Sequence, residues 1–226
     1  MIIGSGLLAN AFYEYKDIDN ILIFASGVSN SKEILEEEFL REEQLLNLYL
    51  EKYGDSKHFV YFSTCSIFDT YFERSAYTKH KLNMEKIITK KAFSYNIFRL
   101  SQVLGKNNKK QLIGFLFDVI KNEKYFDLYN IERNIIDIDD ILYFTKKIIN
   151  LRKSENSIIN IANPINIKVF DLVKLIEKIT NKKAKYNLIE KKGSFVIDNN
   201  YIKSFEDTNQ IFKENYLENR IKKYYE

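Results

Sequence analysis

With 226 residues, 45% hydrophobic and 29% charged, the chain has the composition of an ordinary globular protein, which excludes a disordered or fibrous one. The formal charge of +4 comes from 35 basic and 31 acidic residues spread through alternating Lys and Glu, so no basic stripe argues for a nucleic-acid partner. A single cysteine, Cys65, excludes an internal disulfide, and with two histidines, His58 and His80, no metal site is expected.

The chain opens on Met1-Ile2-Ile3-Gly4 without a basic region and long apolar run, and no apolar stretch approaches membrane-spanning length, so a cytoplasmic protein with no membrane partner is expected. In chain order, the pattern predicts a strand at Met1 to Ile3, a helix from Leu7 to about Tyr15, and a strand from Ile21 to Ala25. A long helix follows from about Ser31 to Tyr53, with Leu35, Phe39, Leu46 and Leu50 on one face and Gly54 to end it. His58 to Thr64 reads as an apolar strand, Ala76 to Lys91 as a helix, and Tyr95 to Leu100 as a strand, with Gly105 after it. Beyond it, Leu112 to Lys121 looks helical, Ile135 to Ile138 extended, Ile141 to Asn150 helical, Ile158 to Ile161 extended and Phe170 to Thr180 helical. Such alternation predicts an α/β fold, a parallel sheet flanked by helices.

Gly4-Ser5-Gly6-Leu7-Leu8-Ala9 follows a strand and opens a helix, the context a dinucleotide fingerprint requires. The first glycine permits a tight turn and the second lets a pyrophosphate approach the backbone, while the N–H groups of the helix start face the phosphates. This makes Gly4, Ser5, Gly6, Leu7 and Leu8 candidate cofactor contacts. Glycines in any tight strand-to-helix turn would look the same. The acid that such folds place on the ribose, about 20 residues further on, is missing, because the second strand ends in Ser26-Gly27.

Tyr77 and Lys81 form a Tyr-x-x-x-Lys pair whose spacing puts both side chains on one helix face. The spacing alone does not choose them, since Tyr53/Lys57 and Tyr143/Lys147 share it. Only Tyr77 follows a strand ending in hydroxyls, Ser63-Thr64-Cys65-Ser66, and precedes a helix and another apolar strand. A nearby ammonium favours a phenolate and brings proton exchange within reach of a group whose ordinary pKa is near 10. A half-buried aromatic and a solvated lysine are the plainer alternative. Cys65 reads as a small core side chain, and His80 as facing away from both Tyr77 and Lys81.

The order strand, Ser63-Thr64, Tyr77-x-x-x-Lys81, Arg99-Leu100, Gly105 resembles the extended short-chain dehydrogenase/reductases, the epimerases, dehydratases and reductases of nucleotide sugars. The resemblance runs from Gly4 to about Thr180. It implies a Rossmann-like sheet in which Phe24-Ala25-Ser26-Gly27 is the fourth strand, with Ala25 and Ser26 beside the cofactor and the second and third strands missing. It implies Thr64, Tyr77 and Lys81 as catalytic residues, Lys81 also binding the nicotinamide ribose, and Glu85 as the glutamate this helix often carries. Ser66 is a substrate contact on the same reading. Arg133, in Glu132-Arg133-Asn134-Ile135-Ile136-Asp137-Ile138-Asp139-Asp140, resembles the arginine that holds the diphosphate of the sugar nucleotide, with Asp139 or Asp140 capping the next helix. Residues 1–106 would form the nucleotide-binding core and 107–226 a smaller substrate-binding region. The function implied is an NAD- or NADP-dependent epimerase or 4-keto reductase of a nucleotide sugar in bacterial surface-polysaccharide synthesis, dimerising through the helices at 31–53 and 76–91. The alternative is a family member that has lost redox chemistry and binds nucleotide sugar or dinucleotide in a regulatory role. Asp69, where the family usually has glycine, and the 12 residues between Thr64 and Tyr77 depart from the pattern.

Overall fold

The computed structural model describes residues 1–106, 111–151 and 155–225. In chain order they form β1 (Ile2–Ile3), α1 (Leu7–Ala11), β2 (Ile21–Phe24), α2 (Glu36–Tyr53), β3 (His58–Thr64), α3 (Ala76–Lys91), β4 (Tyr95–Leu100) and β5 (Gln102–Leu104). There follow α4 (Leu112–Lys121), β6 (Tyr125–Asn130), β7 (Glu132–Arg133), β8 (Ile135–Asp137), α5 (Ile138–Leu151), β9 (Ser157–Ile161), β10 (Ile167–Lys168) and α6 (Val169–Thr180). The chain ends in β11 (Lys185–Glu190), α7 (Asn200–Lys203), α8 (Thr208–Ile211) and α9 (Tyr216–Tyr225).

Two compact units result: Met1–Ile67 with Glu73–Leu100 and Ile138–Ile161, and Phe68–Phe72 with Ser101–Asp137 and Ala162–Glu226. The expected division at 106/107 falls beside residues 107–110, which lie outside the described residues. Unit 1 holds a five-stranded parallel sheet in the order β1-β2-β3-β4-β9. Among the described residues the first strand of the chain is therefore the edge of the sheet, and its one neighbour there is β2, the strand that the resemblance read as the fourth. The strands are largely apolar and buried, as parallel strands covered on both faces tend to be, with polar residues at the ends of β3 and at Asn96 and Arg99 in β4. Leu22, Phe24, Phe59, Tyr61 and Ile97 from the sheet pack with Leu46 and Leu50 of α2 and Met84 and Ile88 of α3.

Unit 2 carries three two-stranded pairings, β5 with β8, β6 with β11, and β7 with β10, and its own core of Leu116, Ile120, Leu172, Val173, Ile176 and Ile221 among others. Along β6, Phe126 and Leu128 point inward while Tyr125, Asp127 and Tyr129 are exposed, the alternation of a one-sided strand.

Two expectations need correction, the start of the long helix and the place of Asp139 and Asp140. The long helix starts at Glu36, not Ser31, because local side chains offer the preceding backbone other partners: Asn30 Oδ1 accepts from Lys32 N–H at 3.1 Å, and Glu33 Oε1 from Ile34 and Leu35 N–H at 3.0 and 3.1 Å. Gly54 ends α2 as expected, in the right-handed region at φ −58°; a side chain there would meet the Leu50 carbonyl, so close packing rather than a left-handed cap requires it. Asp139 and Asp140 lie inside the first turn of α5, which begins at Ile138, where their charge faces the positive helix end.

Candidate active site

The glycine turn takes the strained form its sequence predicts. Gly4 has φ +127°, a conformation side chains rarely adopt, and a Cβ on it would stand 2.4 Å from the Ala25 carbonyl oxygen, so the turn is clamped onto the end of β2. Gly6 faces open space, with nothing within 4 Å of where a Cβ would be. Ser5 and Gly6 are exposed, Leu7, Leu8, Ala25 and Ser26 half-buried. Open space beside Gly6 and the unbonded first N–H groups of α1 fit a pyrophosphate, although a helix of five residues has only a small dipole to offer it. Gly4→Ala is expected to lower stability by about 1–3 kcal/mol, read as a fall in Tm, while Gly6→Ala leaves Tm level or slightly raised.

Thr64 at the end of β3 pairs with Tyr77 on α3, and Ser66 in the 3-10 turn after β3 bonds Thr64. Ser75 caps α3, its Oγ accepting from Thr78 N–H at 3.2 Å, which fixes Tyr77 in the first helical turn. Thr64 Oγ1 donates to Ser66 Oγ at 3.0 Å and accepts from Ser66 N–H at 3.1 Å. Tyr77 is 8% exposed. Burial pushes its phenol up to about 12; a hydrogen bond with Thr64 eases ionisation, and the negative charge of Glu42 opposes it. The expected activation by Lys81 is not what the geometry delivers.

Lys81 is instead committed elsewhere. It is 3% exposed, and its Nζ donates to Glu42 Oε1 and to Tyr61 Oη, each at 3.0 Å, while standing 5.9 Å from the Tyr77 ring centre. Burial lowers its pKa and the Glu42 carboxylate works to restore it. Glu42, fully buried on α2, also accepts from Tyr61 Oη at 2.7 Å and from Val28 N–H at 2.6 Å. His80 Nε2 lies 3.0 Å from Glu42 Oε2, and the ring stacks on Phe39 at 4.7 Å. The expectation that His80 faces away is thus corrected: the two oxygens of one carboxylate reach both His80 and Lys81, neighbours on α3. Burial raises the Glu42 carboxyl, but the His80 hydrogen bond, the Lys81 charge and the Tyr61 and Val28 donors outweigh it and bring the pKa down to about 2. Gly27 closes over this group; a Cβ would stand 2.6 Å from Lys81 Nζ and 2.8 Å from Glu42 Oε1.

A second buried acid supports the sheet. Arg99 donates to Glu85 from Nε at 2.9 Å and Nη2 at 2.6 Å, and Ser63 Oγ donates to the same carboxylate at 2.5 Å. Cys65 is fully buried and donates to the Arg99 carbonyl at 3.2 Å, and burial pushes its thiol far above the ordinary range. That is an inert core thiol.

Arg133 belongs to unit 2. Its Nη1 lies 3.3 Å from Asp69 Oδ2 and donates to the Glu132 carbonyl at 2.8 Å, while the guanidinium carbon lies over the Phe72 and Phe195 rings, 5.7 and 5.9 Å from their centres. The segment 68–72 is zipped to residues 194–195: Thr70 N–H donates to the Ser194 carbonyl at 3.0 Å, Ser194 N–H to Thr70 Oγ1 at 2.7 Å, and Asp69 bridges Phe195. Asp69, the departure from the family glycine, is therefore the counter-charge of Arg133.

The described residues of unit 1 form a Rossmann-type parallel sheet flanked by helices. Among solved structures, a dTDP-4-dehydrorhamnose reductase from Clostridium acetobutylicum matches with TM-score 0.71 at 17% identity, covering 97% of this chain and 84% of that one. The Bordetella bronchiseptica enzyme WbmG, in complex with NAD and UDP, matches with TM-score 0.66 at 10% identity over 89% of this chain and 72% of that one. A UDP-glucose 4-epimerase from Thermotoga maritima, with UDP-glucose, matches with TM-score 0.56 at 15% identity over 80% and 69%. No family model and no curated protein matches the sequence. At these identities the likeness shows the fold. Among the described residues no helix is long and apolar enough to cross a membrane, and no group of three His, Cys, Asp or Glu is placed to hold a metal ion.

Residues 42 and 61 were not legible as part of this site. The signal for Glu42 lay in the helix pattern: an acid four residues before Leu46 and eight before Leu50 sits on the buried stripe.

Proposed function

We propose that this chain is a nicotinamide-dependent reductase of a nucleotide-activated 4-keto sugar, with Tyr77 as the proton donor. The observation that carries the reading is a buried Tyr77, paired with Thr64, whose phenol keeps its proton well beyond neutral pH. An epimerase working through the same tyrosine first needs a base, and burial, which raises this phenol, works against that role. A reductase needs an acid. Residues Gly4 to Leu8 would cradle the pyrophosphate of NAD or NADP, with Ala25 and Ser26 beside it, and the bound nicotinamide supplies the hydride. Thr64 and Ser66 hold the sugar carbonyl against Tyr77 Oη, and the phenol proton passes to the carbonyl oxygen as C4 becomes tetrahedral. Arg133, in the region read as substrate-binding, suits the diphosphate of the sugar nucleotide. A cytoplasmic place in bacterial surface-polysaccharide synthesis and a homodimer through α2 and α3 complete the proposal; Leu40 and Leu48 stand exposed on α2.

A second reading is favoured by the commitment of Lys81 to Glu42 and by the absent ribose acid: a protein that binds nucleotide sugar without redox turnover. Titration with NADH, NADPH, UDP and dTDP, followed by reduction of UDP- and dTDP-linked 4-keto-6-deoxyhexoses, separates the two. The reductase binds a reduced dinucleotide and oxidises it; binding of UDP or dTDP with no dinucleotide binding leaves only the second reading.

A further inference from the structure

We propose that Asp69 is a positioning residue for Arg133: it holds the guanidinium by Nη1 and so presents the edge formed by Nε and Nη2 to two oxygens of one phosphate group. The inference deepens the reading of Arg133 as the diphosphate contact and rests on it.

The residues concerned all lie in unit 2. Arg133 Nη1 is used twice, donating to the Glu132 carbonyl at 2.8 Å and pairing with Asp69 Oδ2 at 3.3 Å. Among the described residues nothing bonds Nε or Nη2. Those two nitrogens carry the parallel N–H groups on one side of a guanidinium, whose spacing matches two oxygens of a carboxylate or phosphate. Elsewhere in the chain the same edge is in use: Arg99 donates from Nε and Nη2 to the two oxygens of Glu85, at 2.9 and 2.6 Å. At Arg133 the acid sits on Nη1 instead, and an oxyanion ligand complements the edge that remains.

Asp69 can hold the guanidinium because its own place is fixed. Its Oδ1 accepts from Tyr71 N–H at 2.9 Å, a local turn that leaves Oδ2 for Arg133. Its backbone bridges Phe195, and the next residue, Thr70, donates its N–H to the Ser194 carbonyl at 3.0 Å. Gly193, at φ +152°, brings that segment so close that a Cβ on it would stand 2.7 Å from Tyr71 Cα. Phe72 and Phe195 complete the seat, with the guanidinium carbon within cation–π reach of both rings. The Arg133 and Asp69 side chains are 20% and 19% exposed, so the pair is screened little by salt and still open to a ligand. A free arginine loses rotamer freedom when it binds, whereas one already held by Nη1 has lost it beforehand, which favours binding. The carboxylate also repels a phosphate, and the sign of its effect on affinity therefore separates an orienting acid from a competing one.

Asp69→Asn keeps an oxygen for the Tyr71 N–H and turns an amide group, which cannot pair with a guanidinium, towards Arg133. The test uses the full chain with 15N-labelled arginine, the Arg133 side-chain signals being assigned by their loss in Arg133→Lys, and UDP as the probe. In the unligated, unmodified protein Nη1 and Nη2 give separate signals, because the held guanidinium does not rotate freely, and in Asp69→Asn they merge. UDP moves the Nε–H signal of the unmodified protein downfield, the mark of a new hydrogen bond. Asp69→Asn binds UDP about tenfold more weakly, the worth of one hydrogen bond to a charged group. Equal or tighter binding of UDP by folded Asp69→Asn overturns the proposal, and so does an Nε–H signal that saturating UDP leaves in place. An acid that only supports its own segment would lower Tm without merging the Nη signals. If Asp69→Asn does not fold, the unmodified protein decides: separate Nη signals with a UDP-shifted Nε–H uphold the proposal, and averaged Nη signals overturn it. No binding of UDP at all defeats the reading of Arg133 as a diphosphate contact and with it the ligand named here, whereas the Nη signals still decide whether Asp69 positions Arg133.

Discussion

Tyr77→Phe lowers kcat for reduction of a nucleotide-linked 4-keto sugar by about 10²- to 10⁴-fold, the usual contribution of a positioned general acid, and leaves dinucleotide affinity and Tm nearly unchanged. The ring remains to fill its place at the start of α3, where Tyr77 is 8% exposed, and only the hydroxyl facing Thr64 is lost. A uniform rise in KM with kcat intact would instead mark Tyr77 as a binding contact. Steady-state kinetics beside a thermal melt separates the cases. Phenylalanine is the informative change because it removes the proton without opening a cavity.

The second large effect is on stability. Glu42→Ala costs about 3–5 kcal/mol, because it strands a fully buried ammonium and removes the acceptor of three further donors at once. Chemical denaturation of the variant measures it directly, as a lower midpoint at unchanged slope. The same acid gives a pH dependence whose sign follows from its shift. Its pKa is depressed from the ordinary 4.5 to about 2, so its contribution is fully present above pH 4.5 and is lost as pH falls from there towards 2. Acid unfolding in that window should be shallower in Glu42→Gln, which has no such proton to take up. Exposed carboxylates elsewhere on the chain contribute little by comparison.

The sheet was readable because its strands are rich in β-forming apolar residues at strand length: His58 to Thr64 holds the run Phe59 to Phe62, and Tyr95 to Leu100 is interrupted only by Asn96 and Arg99. That Ile21 to Ala25 would lie directly beside the first strand followed from the resemblance, supported by an interval from Ala9 to Ile21 too short for another strand and crossover, and β1 is the sheet edge among the described residues. Helix starts were less legible. Ser31 to Leu35 carries the residues of a helix, but Asn30 and Glu33 draw its N–H groups into a turn, a contest between side chain and backbone that periodicity does not register. β6 was overlooked although its alternation of Phe126 and Leu128 with exposed neighbours is regular, because its partner β11 lies far away in sequence.

At the site, residue types were legible and their pairings were not. Thr64, at the end of β3, pairs with Tyr77 on α3 and bonds Ser66 in the turn that follows β3. Lys81 and Arg133 each acquire an acidic partner, Glu42 and Asp69, that their own motifs do not mention. Asp69 was noticed as an oddity where glycine was expected; Glu42 was hidden among the acids of a helix rich in them. Which of several glutamates turns inward is a property of packing, and here the deciding feature is its register with Leu46 and Leu50.

The most direct test of Tyr77 as a proton donor is the pH dependence of kcat/KM for reduction, measured between about pH 6 and 9 with a reduced dinucleotide and a UDP- or dTDP-linked 4-keto sugar. The account predicts measurable reduction at a rate that stays level across this range, since the phenol stays protonated up to about 12. A rate that climbs steadily with pH, the mark of a phenolate base, or no oxidation of NADH or NADPH at any pH, would contradict it.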